Sequence, residues 1–228
     1  MPPSQPPRLP ATACSKPPCG ALQIVFADAA LLVVIKPAGL LSVPGRGEDK
    51  QDCLIRRVQA DFPDALCVHR LDMHTSGLMV LARGKEMQRH LGDRFARRQV
   101  DKRYLAVVAG QLPAGCGEID LPLSADWPQR PRQKVDRLAG KPSLTRYRLL
   151  SHDPATDRSR VALSPQTGRT HQLRVHLLAL GNPIIGDALY GCADPAAGSG
   201  RLLLHADALA FAHPASGQAL RFSSPAPF

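Results

Sequence analysis

Three short segments of the chain concentrate side chains that can do chemistry. In "VHRLDMHTSG", Val68 to Gly77, the carboxylate of Asp72 stands beside His69 and Arg70 before the chain breaks into a Thr-Ser-Gly turn. In "DKRYLAVV", Tyr104 follows Lys102 and Arg103, and "TGRTHQLRVH" holds Arg169, Thr170, His171 and Arg174. Asp72 follows an apolar "CV" and Leu71, which puts it at the mouth of the core, where loss of water disfavours its charge unless a cation holds it ionised. Arg174 is a candidate for that cation, on the first turn of a helix beside Leu173 and His176. The plainer alternatives are that Asp72 is a helix cap or half of a structural salt bridge, and that Tyr104 is a strand aromatic packed in the core. Spacing alone favours those alternatives.

Composition narrows what such groups could act on. The 228 residues are 44% hydrophobic, enough to bury a real core. Lys and Arg number 29 against 19 Asp and Glu, a net charge of +10, which favours a polyanionic partner such as nucleic acid. No apolar run approaches the ~20 residues that span a bilayer and no signal peptide opens the chain, so the expectation is a cytoplasmic protein with no membrane partner. The six cysteines form no C-x-x-C pair and are expected to be reduced; Cys14 and Cys19 lack the second close pair that a zinc site needs. Phosphate-binding P-loop, dinucleotide-binding G-x-G-x-x-G and H-E-x-x-H motifs are missing, so neither a cofactor nor a metal is expected.

The elements that must position these groups follow from patterning. Residues 1–20 hold seven prolines and no acid, and are expected to be a flexible tail before a folded unit at 21–228. "ALQIVFAD" and "LLVVIKP" predict a hairpin turning at Asp28-Ala29-Ala30, followed by a loop, "AGLLSVPGRG". Asp52 to Phe62 places Leu54, Ile55, Val58 and Phe62 on one helical face, with Asp52 at the positive end of the dipole. "GLMVLA" predicts a buried strand, "KEMQRHLGDRFARRQ" a basic amphipathic helix, and "RYLAVVAG" another strand. Pro122 to Pro142, with the only Trp, predicts a polar loop or arm. Strands "LTRYRLLSH" and "SRVALSP", the helix "HQLRVHLLALG" capped at Gly181, and a final strand pair complete the chain. Paired strands without regular strand-helix alternation predict an α+β fold on a mixed, mostly antiparallel sheet.

"HRLDMHTSGLMVLA", "KRYLAVVAG" and "SPQTGRTHQLRVHLLALGNPIIGD", in this order, resemble the motifs of the RluA family of pseudouridine synthases. The likeness runs from about Ala21 to Phe228. "LPLSADWPQRPRQKV" with "GKPSLTRY" is similar to the ribosomal large-subunit pseudouridine synthase A type within that family. Two departures stand out: His74 occupies a position where the family has a small residue, and no S4-like RNA-binding domain precedes the core.

The resemblance implies an isomerase. Uracil is detached from C1′ of its ribose, turned and rejoined through C5, with no net change in atoms or oxidation state and no cofactor. It implies that Asp72 is the essential aspartate, acting as nucleophile or as a base on the ribose. Arg174 would keep it charged, Tyr104 would stack on the flipped base and move a proton, and Leu173 would close the apolar side. Arg70 would contact phosphate or fill the space that the base leaves. His69, Arg169, Thr170 and His171 would line the substrate site, with Arg130, Arg132 and Lys134 of the arm positioning RNA. The implied partner is structured RNA, large-subunit rRNA or a tRNA anticodon stem-loop, bound by a monomer. A catalytically silent RNA-binding protein, or a hydrolase with Asp72 as nucleophile, would use the same basic surface.

Overall fold

The computed structural model of the protein describes residues 22–191 and 200–228. The proline-rich stretch 1–20, including Cys14 and Cys19, and Cys192 lie outside the described residues. Cys53, Cys67 and Cys116 are free thiols.

The first hairpin forms where the sequence predicts it, from β1 (Gln23–Ala27) and β2 (Leu31–Lys36). Asp28 makes the turn: its Oδ1 accepts the Ala30 and Leu31 N–H groups at 2.7 and 2.8 Å. After α1 (Leu54–Gln59) and the short β3 (Ala65–Cys67) come β4 (Ser76–Arg83), α2 (Gly84–Ala96) and β5 (Asp101–Ala109). β6 (Cys116–Asp120) precedes a small ribbon of β7 (Leu123–Ala125) and β8 (Gln133–Val135). β9 (Leu144–Asp153), β10 (Arg158–Pro165), α3 (Gln172–Ala179), β11 (Leu204–Ala212) and β12 (Ala219–Ser223) complete the fold.

Among the described residues, ten strands make one sheet in the order β1-β2-β4-β11-β5-β10-β9-β6, with β3 on β4 and β12 on β11. Every pairing in it is antiparallel except β4 with β11, so the sheet is mixed and mostly antiparallel, an α+β architecture. The parallel contact is brief, Ser76 opposite His205 and Gly77 opposite Ala206. Past it the facing edges are taken by β3 and β12, so the two halves of the sheet part. Only glycine fits at this seam: Gly77 has φ +117, and a Cβ there would come within 2.3 Å of the Ala206 carbonyl oxygen.

β4 reads as an unbroken apolar run because both its faces are covered. Leu78, Val80 and Ala82 pack with Leu31, Leu91 and Phe211, while Met79 and Leu81 pack with Leu32, Leu54 and Val58. A further core joins Val108 and Leu163 of the other half to Leu173 and Leu177 of α3. Tyr104 packs against the cores of both halves, at the place where the sheet divides.

Three expectations need correction, and two short strands lie in segments that patterning leaves unread. The first helix is shorter than Asp52 to Phe62, because the Asp52 carboxylate takes the Arg57 guanidinium at 2.8 and 2.6 Å instead of capping the helix. β3 and β6 are short strands that periodicity does not distinguish from loop. The polar arm is an antiparallel ribbon, held by cross-strand bonds that its proline punctuation does not disclose. The basic helix ends at Ala96, and Arg98 beyond it adopts φ 59. Among the described residues no helix is long and apolar enough to cross a membrane.

Candidate active site

Asp72 lies on the loop between β3 and β4, and the loop is fixed on both sides of it. Before it, Ser42 Oγ donates to the Leu71 carbonyl at 2.7 Å and accepts the Leu71 N–H at 3.1 Å. After it, the Met73 carbonyl accepts from the Gly39 N–H at 2.8 Å and from Lys36 Nζ at 2.9 Å. Lys36 is fully buried, and its Nζ also reaches the carbonyls of Pro37 and Leu40 at 2.8 and 2.7 Å. Burial pushes its ammonium down to about 7, against the pull of the Asp72 carboxylate. The "AGLLSVPGRG" loop and the Lys36-Pro37 pair before it thus set the backbone of the loop that carries Asp72, a role that patterning along the chain does not assign to them.

The carboxylate faces two basic groups at ion-pair distance. Arg174 Nη1 is 3.7 Å and His171 Nε2 is 3.9 Å from Asp72 Oδ2. The tight partner of Arg174 is a different acid: its Nε and Nη2 donate to Asp187 Oδ2 and Oδ1 at 2.7 and 2.6 Å, with both side chains buried. Arg174 thus meets two acids, since a planar guanidinium can grip one carboxylate with two donors and offer a third nitrogen to another. Burial works against the Arg174 charge, but Asp187 holds the guanidinium above its usual value. Burial likewise raises the Asp187 carboxyl, and the Arg174 bonds with the Leu189 and Tyr190 N–H groups outweigh it and hold it low.

Asp72, Tyr104, Leu173 and Arg174 line one small cavity of about 110 Å³, with Lys102 and His171 in its wall. Burial, reinforced by the Asp72 carboxylate, pushes the Tyr104 phenol well above its ordinary range, so it stays a protonated donor. Burial, then the Asp72 carboxylate acting the other way, leaves His171 below its usual value; its backbone is left-handed, φ 54, just before α3. The cavity opens on a groove of about 1130 Å³, and Arg70, Tyr104 and Arg169 border both. Arg98, Arg103, Arg146 and Arg221 add positive charge along that groove.

The remaining expected site residues are placed as follows. Arg70 and Arg169 are exposed at the rim, and Thr170 is exposed beside them. His69 borders the groove, but its Nε2 accepts the Val80 N–H at 3.0 Å and its ring stacks on Phe95 at 4.5 Å. Burial, helped by Lys102, drives it down to about 3, so it is a neutral group completing β4. Arg130 lies over the exposed ring of Trp127, 3.3 Å from its centroid, Arg132 donates to Gln129 Oε1 at 2.7 Å, and Lys134 is exposed. Besides Lys36 and Asp187, sequence reasoning misses Tyr190, whose ring lies 4.9 Å from the Arg174 guanidinium carbon. Among the described residues no cluster of three His, Cys, Asp or Glu side chains could hold a metal ion.

A carboxylate in the wall of a small cavity that opens on a groove lined with arginines is an arrangement suited to an enzyme of nucleic acid. Comparison with known proteins agrees: residues 30–179 match the RNA pseudouridylate synthase family, and the chain belongs to it. It is an RNA pseudouridine synthase, an isomerase. The chain is 48% identical over 207 residues to the "Dual-specificity RNA pseudouridine synthase RluA" of Escherichia coli (strain K12), covering 91% of this chain and 94% of that one. The protein of the same name in Pasteurella multocida (strain Pm70) is 46% identical over the same shares. Among solved structures, human RNA pseudouridylate synthase domain containing 1 superposes with a TM-score of 0.74 at 32% identity, over 91% of this chain and 84% of that one.

Proposed function

We propose that Asp72 carries the chemistry, acting on a uridine turned out of its RNA into the cavity. The observation that carries this reading is the carboxylate's place in the wall of the 110 Å³ cavity, shared with Tyr104, Leu173 and Arg174 and open to the basic groove. The bond from C1′ to N1 breaks, the ring turns, C5 bonds to C1′, and the C5 proton leaves as N1 gains one. Arg174 sets a positive charge beside the Asp72 carboxylate, and Asp187 keeps that guanidinium in place. Tyr104 stacks on the base and passes protons, and Leu173 closes the apolar side. His171 lines the cavity around the nucleotide, Arg70, Arg169 and Thr170 hold it at the rim, and Arg130, Arg132 and Lys134 hold the strand beyond it.

Large-subunit rRNA and a tRNA anticodon stem-loop are the proposed substrates, since single-stranded loops let a base splay out. The dual specificity in the relatives' name supports two RNA substrates. The protein acts as a cytoplasmic monomer. The test is release of tritium from 5-tritiated uridine in each RNA. Release from both that stops in Asp72→Asn supports the reading, and release that continues in Asp72→Asn removes Asp72 from the chemistry.

A further inference from the structure

We infer that the Tyr190 hydroxyl is a positioning group that joins the RNA-holding arm to the catalytic carboxylate. This deepens the proposed function and rests on its assignment of Asp72 and of the arm. Tyr190 follows the turn of Asp187, whose Oδ1 accepts the Tyr190 N–H at 3.1 Å. The same carboxylate grips Arg174, so one acid fixes both the Tyr190 backbone and a cation partner of Asp72. The Tyr190 side chain is buried with Leu123 of β7 and Val175 of α3, and with Val135 of β8 packed against them, so the arm is mounted on it.

The hydroxyl makes two bonds. It accepts the Gln133 N–H of β8 at 2.8 Å, and it lies 2.7 Å from His171 Nδ1. An amide nitrogen can only donate, so of these two partners Nδ1 is the one that can accept the hydroxyl hydrogen, and we assign the bond in that direction. With Nδ1 accepting, the neutral imidazole carries its hydrogen at Nε2, the atom that stands 3.9 Å from Asp72 Oδ2. Tyr190 thus touches the arm by one bond, His171 by the other and Arg174 by its ring face. His171 and Arg174 both stand at ion-pair distance from Asp72. RNA seated on the arm is therefore felt at the carboxylate, and the arm governs turnover as well as affinity.

The experiment is steady-state kinetics of the full chain on a 5-tritiated anticodon stem-loop. Tyr190→Phe keeps the ring and removes both bonds, leaving a buried imidazole nitrogen and amide unpaired. It should lower kcat about tenfold with KM within about twofold. His171→Asn cuts the same link at its far end in a residue type that accepts a left-handed backbone; it should lower kcat likewise, and raise KM as well because His171 lines the nucleotide cavity. In the parent, the arm variant Arg132→Ala with Lys134→Ala should raise KM and lower kcat; in the Tyr190→Phe background it should raise KM alone. Parent-like kcat in Tyr190→Phe, or an equal loss of kcat from the arm variant in both backgrounds, overturns the coupling but leaves the arm reading standing. An arm variant with parent KM and kcat overturns the arm reading and the coupling with it.

Discussion

Arg174 bonds Asp187 twice, at 2.7 and 2.6 Å, with both side chains buried. The guanidinium is thereby fixed before substrate arrives, and the cation that stands 3.7 Å from Asp72 needs no rearrangement to stabilise it.

Asp187→Asn should destabilise the protein by about 3–5 kcal/mol, because it leaves a buried guanidinium short of charge. Thermal melting checks this, with turnover per folded molecule falling as Arg174 loosens. The pH dependence has a definite sign. The Asp187 carboxyl is held below its usual value, so its stabilisation is present above the unfolded carboxylate pKa, about 3.9, and is lost as pH falls through the lower folded value. The gap in melting temperature between parent and Asp187→Asn should narrow over that acid range.

Asp72→Asn keeps the size of the side chain and removes its charge. It should fold normally and bind RNA about as well as the parent, since phosphate contacts supply most of the affinity, yet form no pseudouridine. A merely structural Asp72 would instead show a lowered melting temperature with residual turnover per folded molecule.

Lys36→Met should lower both stability and turnover. The carbonyls of Pro37 and Leu40 lose the Lys36 donor, that of Met73 is left with the Gly39 N–H alone, and an unpaired buried polar group costs about 1–3 kcal/mol. The Met73 carbonyl adjoins Asp72, so kcat should fall while RNA affinity in a binding titration stays close to that of the parent.

Replacing Arg130, Arg132, Lys134 and Arg137 by Ala should raise KM and flatten the salt dependence of binding, by about 0.7 in log-log slope for each single-strand phosphate that is no longer neutralised. Trp127 is the only tryptophan and is 68% exposed, so its fluorescence reports directly on the arm. RNA that seats there should alter it in the parent and alter it less in the fourfold variant.

Much of the architecture is legible in the chain because local patterns encode it. The β1–β2 turn is written in Asp28, whose short side chain can bond two backbone amides at once. The strand Ser76–Arg83 is written in its apolar run, and the end of α3 in Gly181, with φ +83. The short elements are not legible: three residues of β3, or the ribbon of β7 and β8, carry too few positions for a period to register.

The order of motifs by itself determined the family and named Asp72, Tyr104, Leu173 and Arg174, which the fold brings to one cavity. Only the tertiary structure decided how they are held. Asp187 lies at the end of the third motif, yet nothing in its spacing says that it, rather than Asp72, bonds Arg174. Lys36, on the second strand, reaches Met73, 37 residues along the chain, and Tyr190 meets Gln133 from 57 residues away. Such contacts depend on how separate elements pack in three dimensions, and residue types in order along a chain carry no distances between elements that meet only when the sheet is assembled.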